Sequence, residues 1–388
     1  MAATSRARVN RVSIFLPRDN DFYRGLLRQM QRGFEASGVE CCGQTNLLGP
    51  DELDHWCRTR QPDLVLEMNR PRIDADGLPH DVLHACWIVD LHARPISEFR
   101  DSELTYLFCN AWAGFYPNGG FFRWLGPGWC PIDYPQRRDE PFEYDLSFAG
   151  HIPNPWTRGE LDRDVTGGAG CTTFGDLLPL VEQALRRHRR SGRRSHRPPT
   201  AFLSEVDAYC RSLCGRDLVA DDVLRYDLLA RVGRTLNRTD LLDAVVRSST
   251  SLAIYGPENW TRWPQYAPFY RGWLSHPAQL HRSALESRAN LHEGVGIHFR
   301  SMNVMGSGGL LAYRGRASEQ EPGGLQHEFS PHVHYVPIEI DTLSSDLEPY
   351  LSDPARAQTI REEASREIAA RHQWKHRAQG ILRDAAQF

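Results

Sequence analysis

The run GIHFRSMNVMGSGGLLAY, residues 296–313, sets His298 and Arg300 ahead of Asn303. It then passes Gly306, Gly308 and Gly309 and enters the apolar Leu310, Leu311 and Ala312. Phe299, Met302 and Met305 recur at helical spacing and predict a buried face, which leaves His298, Arg300 and Asn303 near the first turn. Free amides at a helix start attract anions, and a guanidinium beside them can clamp a diphosphate. The glycines let the chain turn tightly into a following strand. A glycine-rich helix end packed on a sheet is equally a structural device, so the run alone does not separate binding from packing.

A second group lies in WIVDLH, residues 87–92, where Asp90 and His92 are two positions apart and leave a strand on the same side. A carboxylate beside an imidazole orients it and raises its basicity, as a general base requires. Asp19 and Asp21 follow the first apolar run and are rivals for that work, with helix capping as the plain alternative. Trp112, with Tyr116 and Trp124, offers flat rings suited to the face of a sugar. His327, His332 and His334 gather beside Glu328 in HEFSPHVHY, and a shared strand face for His332 and His334 would suit zinc. The expectation is nevertheless that the chain has no metal site and no cofactor. Nine cysteines, an odd number without paired CxxC spacing, read as buried or incidental thiols.

These groups need a scaffold. VSIFLP at 12–17 reads as a strand, and the helix after it has its apolar face at Leu26, Leu27, Met30 and Phe34 and a C-cap at Gly38. VECCGQTNL, DLVLEMN, LHACWIVDL and LTYLFCN read as four more strands, with a helix opening at Pro50 and Asp51. A second series starts at YDLSFAGHI, passes through a mostly helical region, and resumes with SLAIYGPENW, RANLHEG and HVHYVPI. The chain closes on a long helical pattern broken near His372 to Trp374. Strands alternating with helices predict parallel α/β layers, and two Rossmann-like units in tandem enclose a cleft between the carboxyl ends of their sheets.

Length, 388 residues, fits two or three domains, and 40% hydrophobic with 24% charged residues is a globular mixture able to bury cores of that size. The formal net charge of -3 supplies no global field for nucleic acid or membrane. The arginine-dense ALRRHRRSGRRSHRPPT, residues 184–200, is the one local patch that could take either. It lacks interleaved aromatics and reads as a solvated connection, so a nucleic-acid partner is possible but not favoured. No stretch approaches the ~20 consecutive apolar residues of a membrane span. The basic N-terminus before VSIFL runs into Pro17, Arg18 and Asp19 rather than a cleavage site, so it reads as a strand and the protein as cytoplasmic.

Residues 285–313, LESRANLHEGVGIHFRSMNVMGSGGLLAY, resemble the nucleotide-sugar signature of GT-B glycosyltransferases, and most nearly the CgeB-like (spore maturation protein CgeB) family. WIVDLHARP (87–95), YDLSFAGHI (144–152), AIYGPENW (253–260) and the closing stretch 353–382 fall in the family's order. The resemblance implies metal-independent transfer of a sugar from a nucleotide-diphosphate sugar to an unidentified acceptor. It implies an N-terminal acceptor unit over 1–140, and a donor unit over 141–370 with a helical insertion near 175–247. A helix over 371–388 crosses back to the N-terminal unit. It further implies His298 and Arg300 on the phosphates, Gly150 and His151 in the turn after the donor unit's first strand, and Tyr255 and Gly256 bordering the base. Asp90 or His92 would be the catalytic base, with Asp19, Asp21 and Trp112 on the acceptor side. Where the family carries a ribose-binding glutamate, this chain has Asn303, which can still accept through its carbonyl oxygen. A protein that binds a nucleotide or carbohydrate without catalysis is the alternative that this departure keeps open.

Overall fold

The computed structural model describes residues 9–91, 94–136, 141–168, 170–190, 199–247, 251–294, 296–315 and 320–388. Six strands, β1 (Arg11–Phe15), β2 (Glu40–Gln44), β3 (Leu64–Met68), β4 (Leu83–Ile88), β5 (Leu104–Leu107) and β6 (Phe122–Trp124), form a wholly parallel sheet in the order β2-β1-β3-β4-β5-β6. Six more, β7 (Tyr144–Ala149), β8 (Leu252–Tyr255), β9 (Tyr270–Gly272), β10 (Ser287–Glu293), β11 (Leu311–Arg314) and β12 (Val336–Pro337), form a second parallel sheet in the order β12-β11-β10-β7-β8-β9. Strand order reverses between β1 and β3 in the first sheet and between β7 and β10 in the second. At such reversals the crossovers leave in opposite directions and open a crevice at the carboxyl ends.

The first sheet carries helices α1 (Asp21–Glu35) and α2 (Pro50–Arg60). The second carries α3 (Arg158–Leu161), α4 (Phe174–Arg190), α5 (Pro199–Cys214), α6 (Asp222–Tyr226), α7 (Val232–Arg247), α8 (Pro277–Leu285), α9 (Phe299–Ser307), α10 (Leu325–Glu328), α11 (Leu343–Leu351) and α12 (Pro354–Arg371). Between β7 and β8, α4 to α6 gather an apolar cluster of their own around Phe174, Val181, Val206 and Leu224. Last comes α13 (Trp374–Ala385), which returns to lie on α1.

The return of α13 follows from side-chain size. Trp374, Ala378, Ile381 and Ala385 make one helical face, and all are buried in the cluster of the first sheet with Met30, Phe34 and Trp87. Gly33 admits the crossing chain, since a Cβ there would lie 2.7 Å from the Trp374 backbone. The crossing is held by backbone bonds as well: Trp129 N–H donates to His372 at 2.8 Å and Trp374 N–H donates to Trp129 at 3.2 Å. The buried Asp384 accepts from the Tyr106 hydroxyl at 3.1 Å and pairs with Arg123 at 2.5 Å.

Three local expectations change. Strands β6 and β9, three residues each, lack an apolar run long enough to announce them. In HVHYVPI only Val336 and Pro337 join the sheet, so His332 and His334 do not share a strand face. His332 instead turns through φ 62° and meets the Tyr350 hydroxyl at 2.9 Å. Helix α1 ends on Ala36, and Gly38 takes its φ of 77° two residues later. No helix among the described residues is long and apolar enough to cross a membrane.

Trp374→Ala removes a buried indole from the first sheet's cluster and should lower unfolding free energy by about 3–5 kcal/mol. Urea denaturation measures this, and a midpoint unchanged from the parent would show that α13 contributes nothing to the first sheet.

Candidate active site

Helix α9 starts in the crevice where β10 and β7 diverge. His298 is its N-cap, with φ -116° and ψ 156°. Its Nδ1 accepts from the Arg300 N–H at 3.2 Å, while Ser301 Oγ accepts from the His298 N–H at 3.0 Å, a reciprocal box built on an imidazole. Met302 and Met305 are fully buried beneath, as their spacing predicts. Gly308 ends the helix in the left-handed region at φ 88°. A Cβ on Gly309 would come within 2.7 Å of the Ala284 carbonyl, so this glycine serves packing at the far end of the helix.

From α9 the Arg300 side chain reaches β7, where Nη1 donates to the Ala149 carbonyl. Gly150 leaves the guanidinium room, since a Cβ there would lie 2.6 Å from Nη1. Arg300 Nε is buried with no hydrogen-bond partner, and no carboxylate pairs with this arginine among the described residues. Burial pushes its pKa down to about 10, so it stays charged at neutral pH.

His292, at the end of β10, is 4% exposed, and neither ring nitrogen has a partner among the described residues. Its ring stacks on Tyr313 at 5.6 Å and 18°, and lies 5.3 Å from the ring of His298. Burial first, then the charge of Arg300, holds both histidines well below the usual imidazole range, and hence neutral. The next residue, Glu293, forms an ion pair with Arg238, whose Nε donates to the His151 carbonyl at 3.2 Å. Asn303, one turn beyond Arg300, is half-buried and joins Arg300, His292, Asn290 and Ser147 around a cavity of about 30 Å³, room for a water or two.

The glycine turns are matched to each other. Gly256, at φ 154°, passes so close to the Gly150 carbonyl that a Cβ would lie 2.0 Å from its oxygen, which also accepts from Trp260 Nε1 at 2.8 Å. Tyr255 is buried, and its hydroxyl reaches Glu286 at 3.4 Å, just after α8 and away from the Arg300 group. His151 is exposed, with its pKa lowered by desolvation and by Arg234 and Arg238.

Across the crevice, Asn69 turns at φ 60° and its Oδ1 accepts from the backbone of Val89 at 2.7 Å and of Asp90 at 3.0 Å. The end of β3 thereby fixes the end of β4, and leaves Asp90 exposed beside the phenol of Tyr23, whose pKa is raised by burial and by that carboxylate. Three residues earlier Trp87 meets Phe299, the first residue of α9, at 5.9 Å. Phe299 also stacks on Phe108 at 5.5 Å and meets Phe22 edge-on at 5.5 Å. It therefore crosses into the first sheet's cluster rather than packing under its own helix. His92 lies outside the described residues. Asp19 is exposed but occupied: Arg24 grips both its oxygens at 2.7 Å and Thr45 donates at 2.6 Å, which holds its pKa at about 2. Asp21 pairs with Arg24 at 3.3 Å, and Asn20 between them is the true N-cap of α1. Trp112 is half-buried against the first sheet's clusters.

The structure thus brings His298, Arg300, Asn303 and Gly150 together, faces them with the β4 end that carries Asp90, and leaves Tyr255 apart. Sequence reasoning missed His292, Glu293 with Arg238, and the role of Phe299. RANLHEG carried the first signal, a histidine near a strand's carboxyl end two residues before a glycine. Among the described residues no group of three or more histidines, cysteines or acids is placed to hold a metal.

Two parallel Rossmann-like sheets facing across a crevice, with the last helix returned to the first half, define the GT-B fold. Residues 234–383, a span that includes α9, α12 and most of α13, match the family described as Glycosyl transferase-like. AviGT4, a glycosyltransferase involved in avilamycin A biosynthesis, is similar over 97% of this chain and 96% of its own at 12% identity, with a TM-score of 0.52. WaaG, a glycosyltransferase involved in lipopolysaccharide biosynthesis, aligns over 95% of this chain and 98% of its own at 8% identity and a TM-score of 0.48. No curated protein matches the chain.

A histidine kept neutral by the fold makes stability depend on pH. The unfolded chain protonates near pH 6.5 and the folded chain does not, so stability is fully present above that pH and is lost as pH falls below it. His292, held well below the usual imidazole range by burial and then by Arg300, loses part of that stabilisation as pH falls from 7 to 5. His292→Gln should remove that part of the slope in urea titrations at the two pH values, whereas an unchanged slope would place the ring in water.

Proposed function

We propose that the chain is a glycosyltransferase that moves a sugar from a nucleotide-diphosphate sugar to a hydroxyl-bearing acceptor. The observation that carries the reading is Arg300: a half-buried arginine at the start of a helix in the crevice of the second sheet, whose Nε is buried without a partner and which no carboxylate pairs among the described residues. A charge so placed lacks only a counter-ion, and a diphosphate supplies one. The match over residues 234–383 and the GT-B fold support the same reading. The residue pattern over 285–313 favours the CgeB-like kind of transferase.

In the proposed reaction the acceptor oxygen attacks the anomeric carbon, and the bond from that carbon to the diphosphate oxygen breaks. The electron pair leaves on the diphosphate. Arg300 and the amides of the first turn of α9 stabilise that growing charge, so the mechanism routes no step through a metal. Asp90 takes the acceptor's proton. Asp19 is the poorer base, because a carboxylate held at about 2 by Arg24 and Thr45 has little affinity for a proton. His298 positions the helix start through its cap and, being neutral, adds no competing charge. Asn303 favours a second reading, nucleotide binding without transfer, since it removes the acid that the resembling family carries there.

Two substitutions test the roles separately. Arg300→Ala should weaken nucleoside-diphosphate binding by roughly 1.5–3 kcal/mol in calorimetry with the fold intact, and unaltered affinity would take Arg300 out of the site. Asp90→Asn should cut transfer by about 10²–10⁴-fold while donor affinity stays at the parental value. Parental turnover in Asp90→Asn would exclude it as the base. Donor binding by the parent chain without turnover on any acceptor would favour the second reading.

A further inference from the structure

A second cationic recess lies at the opposite, amino-terminal edge of the second sheet. Its cavity, about 300 Å³, is bounded by the segment that joins the two sheets (Gln136, Phe142), by the start of β10 (Ser287), by the C-cap of α9 (Gly308) and by α12. Arg361 of α12 forms its cationic wall. It is 7% exposed, donates through Nη2 to the Arg288 carbonyl at 2.6 Å, and lies 4.7 Å from the ring of Phe142. No carboxylate pairs with it among the described residues, and burial first, then the charge of Arg288, lowers its pKa. Ser287 and Ser365, 1% and 6% exposed, each present a buried hydroxyl with no hydrogen-bond partner among the described residues.

An uncompensated buried guanidinium beside two unsatisfied hydroxyls is costly unless something accepts their hydrogen bonds. Water alone would satisfy the hydroxyls but not the charge. A tetrahedral phosphate meets both, since one edge takes a guanidinium and the remaining oxygens accept from hydroxyls. The cavity exceeds the volume of the anion itself, and Gln358 and Glu362 on its rim can bond the hydroxyls of a small polyol. We propose that this recess is a second binding site, for a phosphate group that is free or carried on a small hydroxylated metabolite. It is held by Arg361, Ser287 and Ser365 and is separate from the crevice of Arg300. The inference does not depend on the transferase reading.

The site abuts two of the elements that link the halves, the joining segment and α12, and also the far end of α9. An occupant there would bear on the same helix whose first turn holds Arg300.

The test uses the full chain and two probes, inorganic phosphate and glucose 1-phosphate, with glucose as the neutral control, in calorimetric titrations up to roughly 10 mM. A saturable site is expected that persists in Arg300→Ala, where any binding at the crevice is removed, and that is weakened about tenfold or more by Arg361→Gln and several-fold by Ser365→Ala. Tighter binding of glucose 1-phosphate assigns the ester as occupant, and equal binding assigns the free anion. Should Arg361→Gln fail to fold, Ser365→Ala with Arg300→Ala carries the decision. Absence of saturable binding by either probe overturns the proposal. So does binding that is lost in Arg300→Ala and intact in Ser365→Ala.

Discussion

The guanidinium of Arg300, which no carboxylate pairs among the described residues, is the constraint around which the crevice is organised. Removing an ion from water costs several kcal/mol even after the protein relaxes, and one backbone carbonyl returns only part of that. The surroundings are arranged to keep this charge in place without neutralising it. Gly150 clears the space, His298 and His292 stay neutral beside it, and the nearby acid Glu293 is already engaged with Arg238. With that acid engaged elsewhere, the cation is placed as the proposed diphosphate site requires.

One residue before that charge, Phe299 is committed to the other half of the molecule. Its contacts with Phe22, Trp87 and Phe108 fasten the start of α9 to the first sheet, so the helix that bears Arg300 and the strand that leads to Asp90 are positioned against each other directly. Aromatic pairs of this kind add about 0.5–1.5 kcal/mol each beyond their buried area. That is enough to set a preferred geometry between two halves and small enough to be exchanged for contacts with a bound molecule.

Much of this was legible in the sequence, for identifiable reasons. Parallel strands buried on both faces read as continuous apolar runs, so β1, β3, β4, β7 and β8 announced themselves, and the glycines after β7 and α9 marked turns that the backbone requires. His298 and Arg300 were legible because a polar pair ahead of a helical apolar stripe falls at its first turn. What stayed hidden depends on partners remote in sequence. Asp19 reads as an available acid in the sequence, where nothing shows that Arg24 and Thr45 hold it. Tyr255 follows a strand at the right place, but its ring runs back towards Glu286. His292 sits inside an apolar strand, where only the fold shows that its two nitrogens go unsatisfied. Edge strands of three residues, such as β6 and β9, leave too short a pattern to detect.

The docking of α13 carries a consequence for biogenesis. Trp374, Ala378, Ile381 and Ala385 complete a core whose other buried members lie between Val9 and Cys130. A ribosome delivers those earlier residues long before it delivers the helix that covers them. During that interval the nascent first sheet exposes Met30, Phe34 and the edge of Trp87, the kind of surface that chaperones bind and that aggregates when left bare. The two halves therefore cannot mature strictly in the order of translation: the amino-terminal sheet reaches its final packing only after the carboxyl-terminal one has been made.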